Sequence, residues 1–244
     1  MNNIFSKKEF TSPSKKKNHI IFICDHASNK IPNIYHNLGL RKELLKSHIS
    51  IDLGAKEFCV SLAKILGQSY FYSNFSRLLI DPNRSLDSDQ LIVKKSCGIE
   101  IPGNIKISCK EEKKRIMKFH AEYHCNLKSF VEKKSRQYEK VFLIAIHSFT
   151  KIYDTENRSL EIGLLWNKNM NLLLKIQKEL ILMSVHFGRN YPYSGFFYNY
   201  TLDRHSKKGT IDNISIELRN DLICEEKGFI KYLNIFEKIF NKLL

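Results

Sequence analysis

At 244 residues the chain has the length of one domain with a single sizeable core, and 43% hydrophobic against 27% charged residues excludes a disordered or collagen-like polymer. Lys+Arg 40 against Asp+Glu 25 gives a net charge of +15, but the basic residues are scattered through predicted helices and read as solvated faces, not as a nucleic-acid footprint. No segment approaches the roughly 20 apolar residues of a membrane helix.

Residues 1–18 are polar and lysine-rich without an apolar leader core, and are expected to form a flexible basic arm. Residues 19–244 are expected to form one globular domain. His19–Cys24 is a short apolar run rich in β-branched residues, the signature of a strand buried on both faces. It ends in the polar loop Asp25-His26-Ala27-Ser28-Asn29. From Asp52 the residues Ala55, Phe58, Cys59, Leu62, Ile65 and Leu66 recur at helical intervals, with Gly67 as the stop. Tyr70–Phe75 is extended, and residues 85–110, punctuated by Gly98, Pro102 and Gly103, form a long loop of the kind that usually carries function. Glu111–Arg136 is an amphipathic helix, and Val141–Ile146 is the clearest buried strand. A strand at Ile162–Trp166, a helix from about Met170 to His186 and a loop over residues 191–209 follow. The last strand, Ile214–Leu218, leads into a C-terminal helix bearing Phe229, Leu233, Phe236 and Ile239. The alternation predicts a single three-layer α/β domain: a mixed, mostly parallel sheet with helices on both faces. Six dispersed cysteines without a CxxC pair predict free thiols in a reducing, cytoplasmic setting.

In open α/β sheets reactive groups gather at the carboxyl ends of strands. Three apolar strands here end in, or carry, a polar group that a core strand does not need: Asp25 and His26, His147, and Glu217 between Ile216 and Leu218. Together they suit a divalent-metal site with a general base. Arg77 and Arg84, seven apart around an Asp-Pro turn, offer planar forks for carboxylates, and the alternative for either is an ion pair with Asp81. His120 and His124 stand at i and i+4, but their helix face also carries Leu127 and Val131, so they read as satisfied core histidines. Asp52 reads as a helix N-cap first and as support for the site second, with His48 a weaker candidate. No GxSxG elbow, P-loop or GxGxxG is present.

The strings CDHASNKIP, HISIDLGA, SRLLIDPNR, AIHSFT, EIGLLWN, YPYSG and ISIELRNDLI, spread over roughly residues 20 to 224, resemble in this order the N-formylglutamate amidohydrolase family, and more distantly the zinc carboxypeptidases. The resemblance implies a carboxypeptidase-like fold and one divalent ion, zinc in the first place, with manganese, cobalt or iron able to substitute. It implies His26 and His147 as metal ligands, Glu217 as the catalytic base, and Arg77, Asn83 and Arg84 as substrate-binding residues. The third ligand falls at Asn29, where the carboxypeptidase pattern has a glutamate, or else at Asp25, Asp52 or water. The implied partner is a small dicarboxylate N-acyl amino acid, cleaved to formate and L-glutamate in histidine breakdown, with no nucleic acid and no membrane involved. The rival readings are a related metal hydrolase acting on another N-acyl amino acid or a peptide, a basic binding module, and a scaffold that has lost its metal.

Overall fold

The computed structural model describes residues 3–10, 17–207 and 209–244. One seven-stranded sheet forms the middle layer. Its strands are β1 (Phe5–Lys8), β2 (Asn18–Cys24), β3 (Ser69–Ser73), β4 (Lys140–Phe149), β5 (Ile162–Leu165), β6 (Phe187–Arg189) and β7 (Asn213–Arg219). They run in the order β1-β3-β2-β4-β7-β5-β6. Strands β3, β2, β4 and β7 are mutually parallel, and β1 and β5 are antiparallel to their neighbours β3 and β7. The expected mixed, mostly parallel α/β sheet is therefore present.

The two-residue period of the central strands divides the core. Ile20, Phe22 and Cys24 of β2, Phe142, Ile144 and Ile146 of β4, and Ile214, Ile216 and Leu218 of β7 face one side. There they meet helices α1 (Ala55–Leu66), α3 (Asn171–Leu182) and α5 (Glu226–Asn241). Ile21 and Ile23 of β2 and Leu143 and Ala145 of β4 face the opposite side, against α2 (Glu122–Gln137) and the segment from Phe75 to Ile101. On that second face, the register of β4 with β7 sets His147 beside Glu217. The functional cavity therefore lies at the carboxyl ends of the parallel strands, on the α2 side.

Three local expectations are corrected. Phe5–Lys8, inside the segment read as a flexible arm, is an edge strand whose Phe5 ring stacks on Phe71 at 4.9 Å; residues 1–2 and 11–16 of that arm lie outside the described residues. The helix read as Glu111–Arg136 starts at Cys109 and widens into a π-helical stretch at Ile116–Ala121, which carries His120 into α2. The loop over residues 191–209 contains two short helices, Gly195–Tyr198 and α4 (Tyr200–His205).

Asp212 locks the entry to β7. Its Oδ1 accepts from the amide nitrogens of Asn169 (2.8 Å) and Asn171 (2.9 Å) at the start of α3, and its Oδ2 lies 2.7 Å from Lys140 Nζ at the start of β4. Burial alone would raise the Asp212 carboxyl, but the Lys140 ammonium and the two amides outweigh it and hold it below its ordinary 3.8. A carboxyl depressed by folding stabilises the native state above its unfolded pKa, and that contribution disappears as pH falls through the folded value. Asp212→Ala should therefore cost about 2 kcal/mol near neutral pH, with the deficit shrinking below pH 3.8, measured by chemical denaturation across pH. A deficit independent of pH would contradict the ionic role.

Candidate active site

Asp52 stands just before α1, where the sequence suggests an N-cap. It does not cap: the N-cap position is Gly54, whose φ of +76° a glycine adopts without strain, and no side chain caps the helix there. The turn instead directs the Asp52 carboxylate inward, to the ends of β2 and β4. Its Oδ2 lies 3.2 Å from His26 Nδ1 and 2.9 Å from His147 Nδ1, and its Oδ1 accepts from Arg77 Nη1 at 3.3 Å. Each imidazole is backed by a second carboxylate at its far nitrogen. His26 Nε2 is 2.8 Å from Asp81 Oδ1, and His147 Nε2 is 3.6 Å from Asp25 Oδ2.

This arrangement decides the tautomers. Without metal each Nδ1 donates to Asp52; loss of that proton would free the Nδ1 lone pair for an ion, with the remaining proton on Nε2 facing the outer carboxylate, which only accepts. Both free lone pairs then converge on Asp52 Oδ2, and the three ligand atoms lie within 4.8 Å of one another. Tetrahedral zinc with bonds of about 2.0–2.1 Å sets its ligands about 3.3 Å apart, close to the spacings seen between Asp52 and the two rings. Carboxylates behind ligating histidines are the usual support that orients such rings. The donor set fits a divalent metal.

The electrostatics follow from the same contacts. Burial would raise Asp52 and lower His147. The charge of His26 and the hydrogen bonds of both rings instead pull Asp52 far below its ordinary value. The carboxylates of Asp25 and Asp52, helped by Glu217, carry His147 up to about 10. Asp81 is likewise held well below the carboxylate range: burial opposes this, and His26, Arg84 and Arg77 outweigh it. Glu217 goes the other way. Its burial, reinforced by the Asp52 charge, pushes its carboxyl up to about 7 against the pull of His147, His26 and Arg77. Its Oε2 is buried and has no hydrogen-bond partner among the described residues.

His26, Arg77, Asn83, Arg84, His147 and Glu217, all singled out from sequence, line one cavity of about 270 Å³. Asn29 does not line it; the oxygen set between the two imidazoles belongs to Asp52, in the turn before α1. Arg77 commits two of its N–H groups to Asp52 and to Asp81 (3.1 Å), so it braces both carboxylates. Arg84 is less engaged. It donates to the Asn83 carbonyl at 2.8 Å, lies 4.0 Å from Asp81 Oδ2, the ion pair that the sequence offers as the alternative, stacks 4.9 Å from the Tyr198 ring, and its Nε has no partner among the described residues. The Asn83 amide is fully used: it donates to the Tyr198 carbonyl at 2.8 Å and accepts from the Thr201 N–H at 3.0 Å.

His120 and His124 are not part of the cavity lining. His120 Nε2 lies 2.8 Å from the Arg84 carbonyl, and His124 Nε2 lies 2.9 Å from the Pro82 carbonyl, so together they pin the Asp81–Arg84 loop. His124 Nδ1 faces His205 Nε2 at 2.9 Å. Burial lowers all three rings, His205 to about 4, which keeps them neutral for these bonds. His48 lines the cavity, 3.5 Å from Cys97, and Glu161 pairs outside it with Lys231 at 3.6 Å. Sequence reasoning did not single out Tyr193 and Tyr198, which line the cavity, or Tyr123 and Thr201, which hold Asp25 Oδ1 at 2.8 and 3.0 Å. Only the YPYSG string pointed toward that wall.

Two imidazoles and a carboxylate around one point, with an unpartnered glutamate beside them on an α/β sheet, are groups that a hydrolytic centre can use. The chain belongs to the N-formylglutamate amidohydrolase family, whose sequence model matches residues 18–224, and it is accordingly a hydrolase of amide bonds. It is similar to a gene product of Agrobacterium tumefaciens of known structure (28% identity, 99% of this chain and 94% of that one, TM-score 0.91). It shares its fold with an N-formylglutamate amidohydrolase from Ralstonia eutropha (17% identity, 98% and 96% covered, TM-score 0.77). No curated protein matches the chain.

Glu217 is also set by what lies across from it. Its antiparallel partner on β5 is Gly163, where a Cβ would stand 1.7 Å from the Tyr191 carbonyl oxygen and 3.2 Å from Glu217 Cβ. Only a glycine admits this close approach. Gly163→Ala should cost about 1–3 kcal/mol and lower turnover by moving the Tyr191–Tyr193 segment, read by thermal denaturation and initial rates. Unchanged stability and rate would show that the segment yields freely.

Proposed function

We propose that the chain hydrolyses the formyl C–N bond of N-formyl-L-glutamate to formate and L-glutamate, using one divalent ion, zinc, held by His26, Asp52 and His147. The observation that carries this reading is Asp52 Oδ2 facing the Nδ1 atoms of both histidines, with Glu217 in the adjacent register position. Family membership supports the substrate. When bound, the ion supplies Lewis acidity toward a water and toward the formyl carbonyl. The remaining work belongs to side chains. Glu217 takes the proton of the attacking water at its unpartnered Oε2 and returns it to the departing amine nitrogen. Arg84 presents its guanidinium to a substrate carboxylate, held in place by the Tyr198 ring, the Asn83 carbonyl and Asp81. Asp25, Asp81 and Arg77 keep the ligand rings and Asp52 in position, and His120 and His124 hold the loop that bears Arg84. The free cysteines fit a cytoplasmic reaction, and release of glutamate fits a place in histidine breakdown.

Purified protein should release formate from N-formyl-L-glutamate in a chelator-sensitive manner. Glu217→Gln should lower kcat by about 1,000-fold while still binding metal; near-normal turnover would remove Glu217 as the base. Formate release from other N-acyl amino acids but not from this one would keep the hydrolase and replace the substrate. The ligand set has its own test. Asp52→Asn should weaken zinc binding by about 100-fold or more at fixed pH, and Asn29→Ala should leave it unchanged, as followed by competition with a chromogenic chelator. The reverse pattern would restore Asn29 as the third ligand.

A further inference from the structure

Arg158 is a buried charge that the mechanism above does not use. Its residue is 3% exposed, and among the described residues no carboxylate lies within ion-pair distance of it. Three aromatic rings box the guanidinium: Tyr153 at 4.7 Å, Tyr193 at 4.9 Å and Phe149 at 5.9 Å. Of its five N–H donors, Nη1 donates to Tyr193 Oη at 3.0 Å, and Nε is buried with no partner among the described residues. A guanidinium removed from water without a counter-charge is costly unless something else neutralises it. The three rings that enclose it all line the cavity, so an anion bound in the cavity would lie across these rings from the guanidinium.

The hydrogen bond to Tyr193 defines how that approach ends. Arg158 has no lone pair, so Tyr193 Oη must accept from it, and the phenolic O–H is left to donate toward the cavity. A phenol so polarised, with a guanidinium behind it, is a donor for an anion with a spare lone pair. Arg84, also a cavity-lining residue, is the second cation, on the Tyr198 ring that packs 5.6 Å from Tyr193, and its Nε has no partner among the described residues. Two anion-seeking positions facing one small cavity suit a ligand with two carboxylates.

We propose that the Tyr193–Arg158 pair is a specificity determinant, in which Tyr193 O–H donates to one carboxylate of an acidic acyl-amino-acid substrate and Arg158 supplies the charge behind it. Arg84 receives the other carboxylate. This rests on the acyl-amino-acid reading of the site and adds to it a second position that recognises a carboxylate. Tyr193 touches the substrate; Arg158 is a positioning residue that acts through it.

The test trims the substrate and the protein together. N-formyl-L-glutamine lacks the side-chain charge, and 4-formamidobutanoate lacks the α-carboxylate. Arg158→Met should lower kcat/KM for N-formyl-L-glutamate by about 100-fold, yet leave the trimmed substrate that lacks the recognised carboxylate changed by no more than about 3-fold. The substrate that loses its sensitivity identifies the carboxylate. Tyr193→Phe, which keeps the ring, should reproduce the same selectivity with a smaller loss. An equal fall on all three substrates, or none on any, would overturn the proposal. If Arg158→Met fails to fold, Arg158→Lys and Tyr193→Phe carry the comparison. If the wild type hydrolyses none of the three, calorimetric binding of glutarate decides separately: weakening by about 10-fold or more in the variants supports the pair, and equal or absent binding overturns it.

Discussion

A carboxylate sealed from water between two imidazoles and a guanidinium is stable only if all of them are held. Asp52 is in that position: Oδ2 faces His26 and His147, and Oδ1 faces Arg77. The desolvation of these groups is offset by their mutual charge, and each partner is braced in turn by another buried acid, Asp81 behind His26 and Arg77, Asp25 behind His147. Removing any one leaves a buried charge without its counterpart. The cluster joins three stretches of chain far apart in sequence, the loop after β2, the turn before α1 and the end of β4. It is therefore both a ligand set and a tertiary lock.

The sheet makes that cluster possible through register. Parallel pairing of β4 with β7 sets Glu217 beside His147, and the two-residue period turns both toward the α2 face while Ile146, Ile216 and Leu218 enter the other core. Gly163 then removes the side chain that would otherwise crowd the same spot from β5. On the α2 side, neutral imidazoles at positions 120 and 124 fasten the Pro82 and Arg84 carbonyls. The chemistry thus sits at the seam between a rigid sheet edge and a loop pinned by a helix.

The order of strands and helices was legible because each buried strand is a short apolar run, and His26, His147 and Glu217 stood out as polar groups those runs do not need. Asp52 was harder to place, because an aspartate just before a helix has the local signature of an N-cap. Only the left-handed turn at Gly54 and the approach of strands 26 and 95 residues away reveal its other use. Asn29 sat at the right interval in the chain, but it is not among the residues that line the cavity. Phe5–Lys8 escaped notice because its only apolar residue is Phe5, the rest of its stability coming from pairing with β3. Arg158, in a polar run, looks like any solvated arginine until Phe149, Tyr153 and Tyr193 close over it.

The central claim is that Asp52 and the two histidines form one metal-holding group. The most direct measurement is a crystal structure of the zinc-loaded protein with the ion located by anomalous scattering at the zinc edge. The account predicts a single ion per chain bonded to the Nδ1 atoms of His26 and His147 and to the Asp52 carboxylate, with Asp81 and Asp25 still behind the rings and Glu217 outside the ligand set. An ion bound through Asn29, or at a place that leaves Asp52 hydrogen-bonded to both imidazoles as it is without metal, would contradict it.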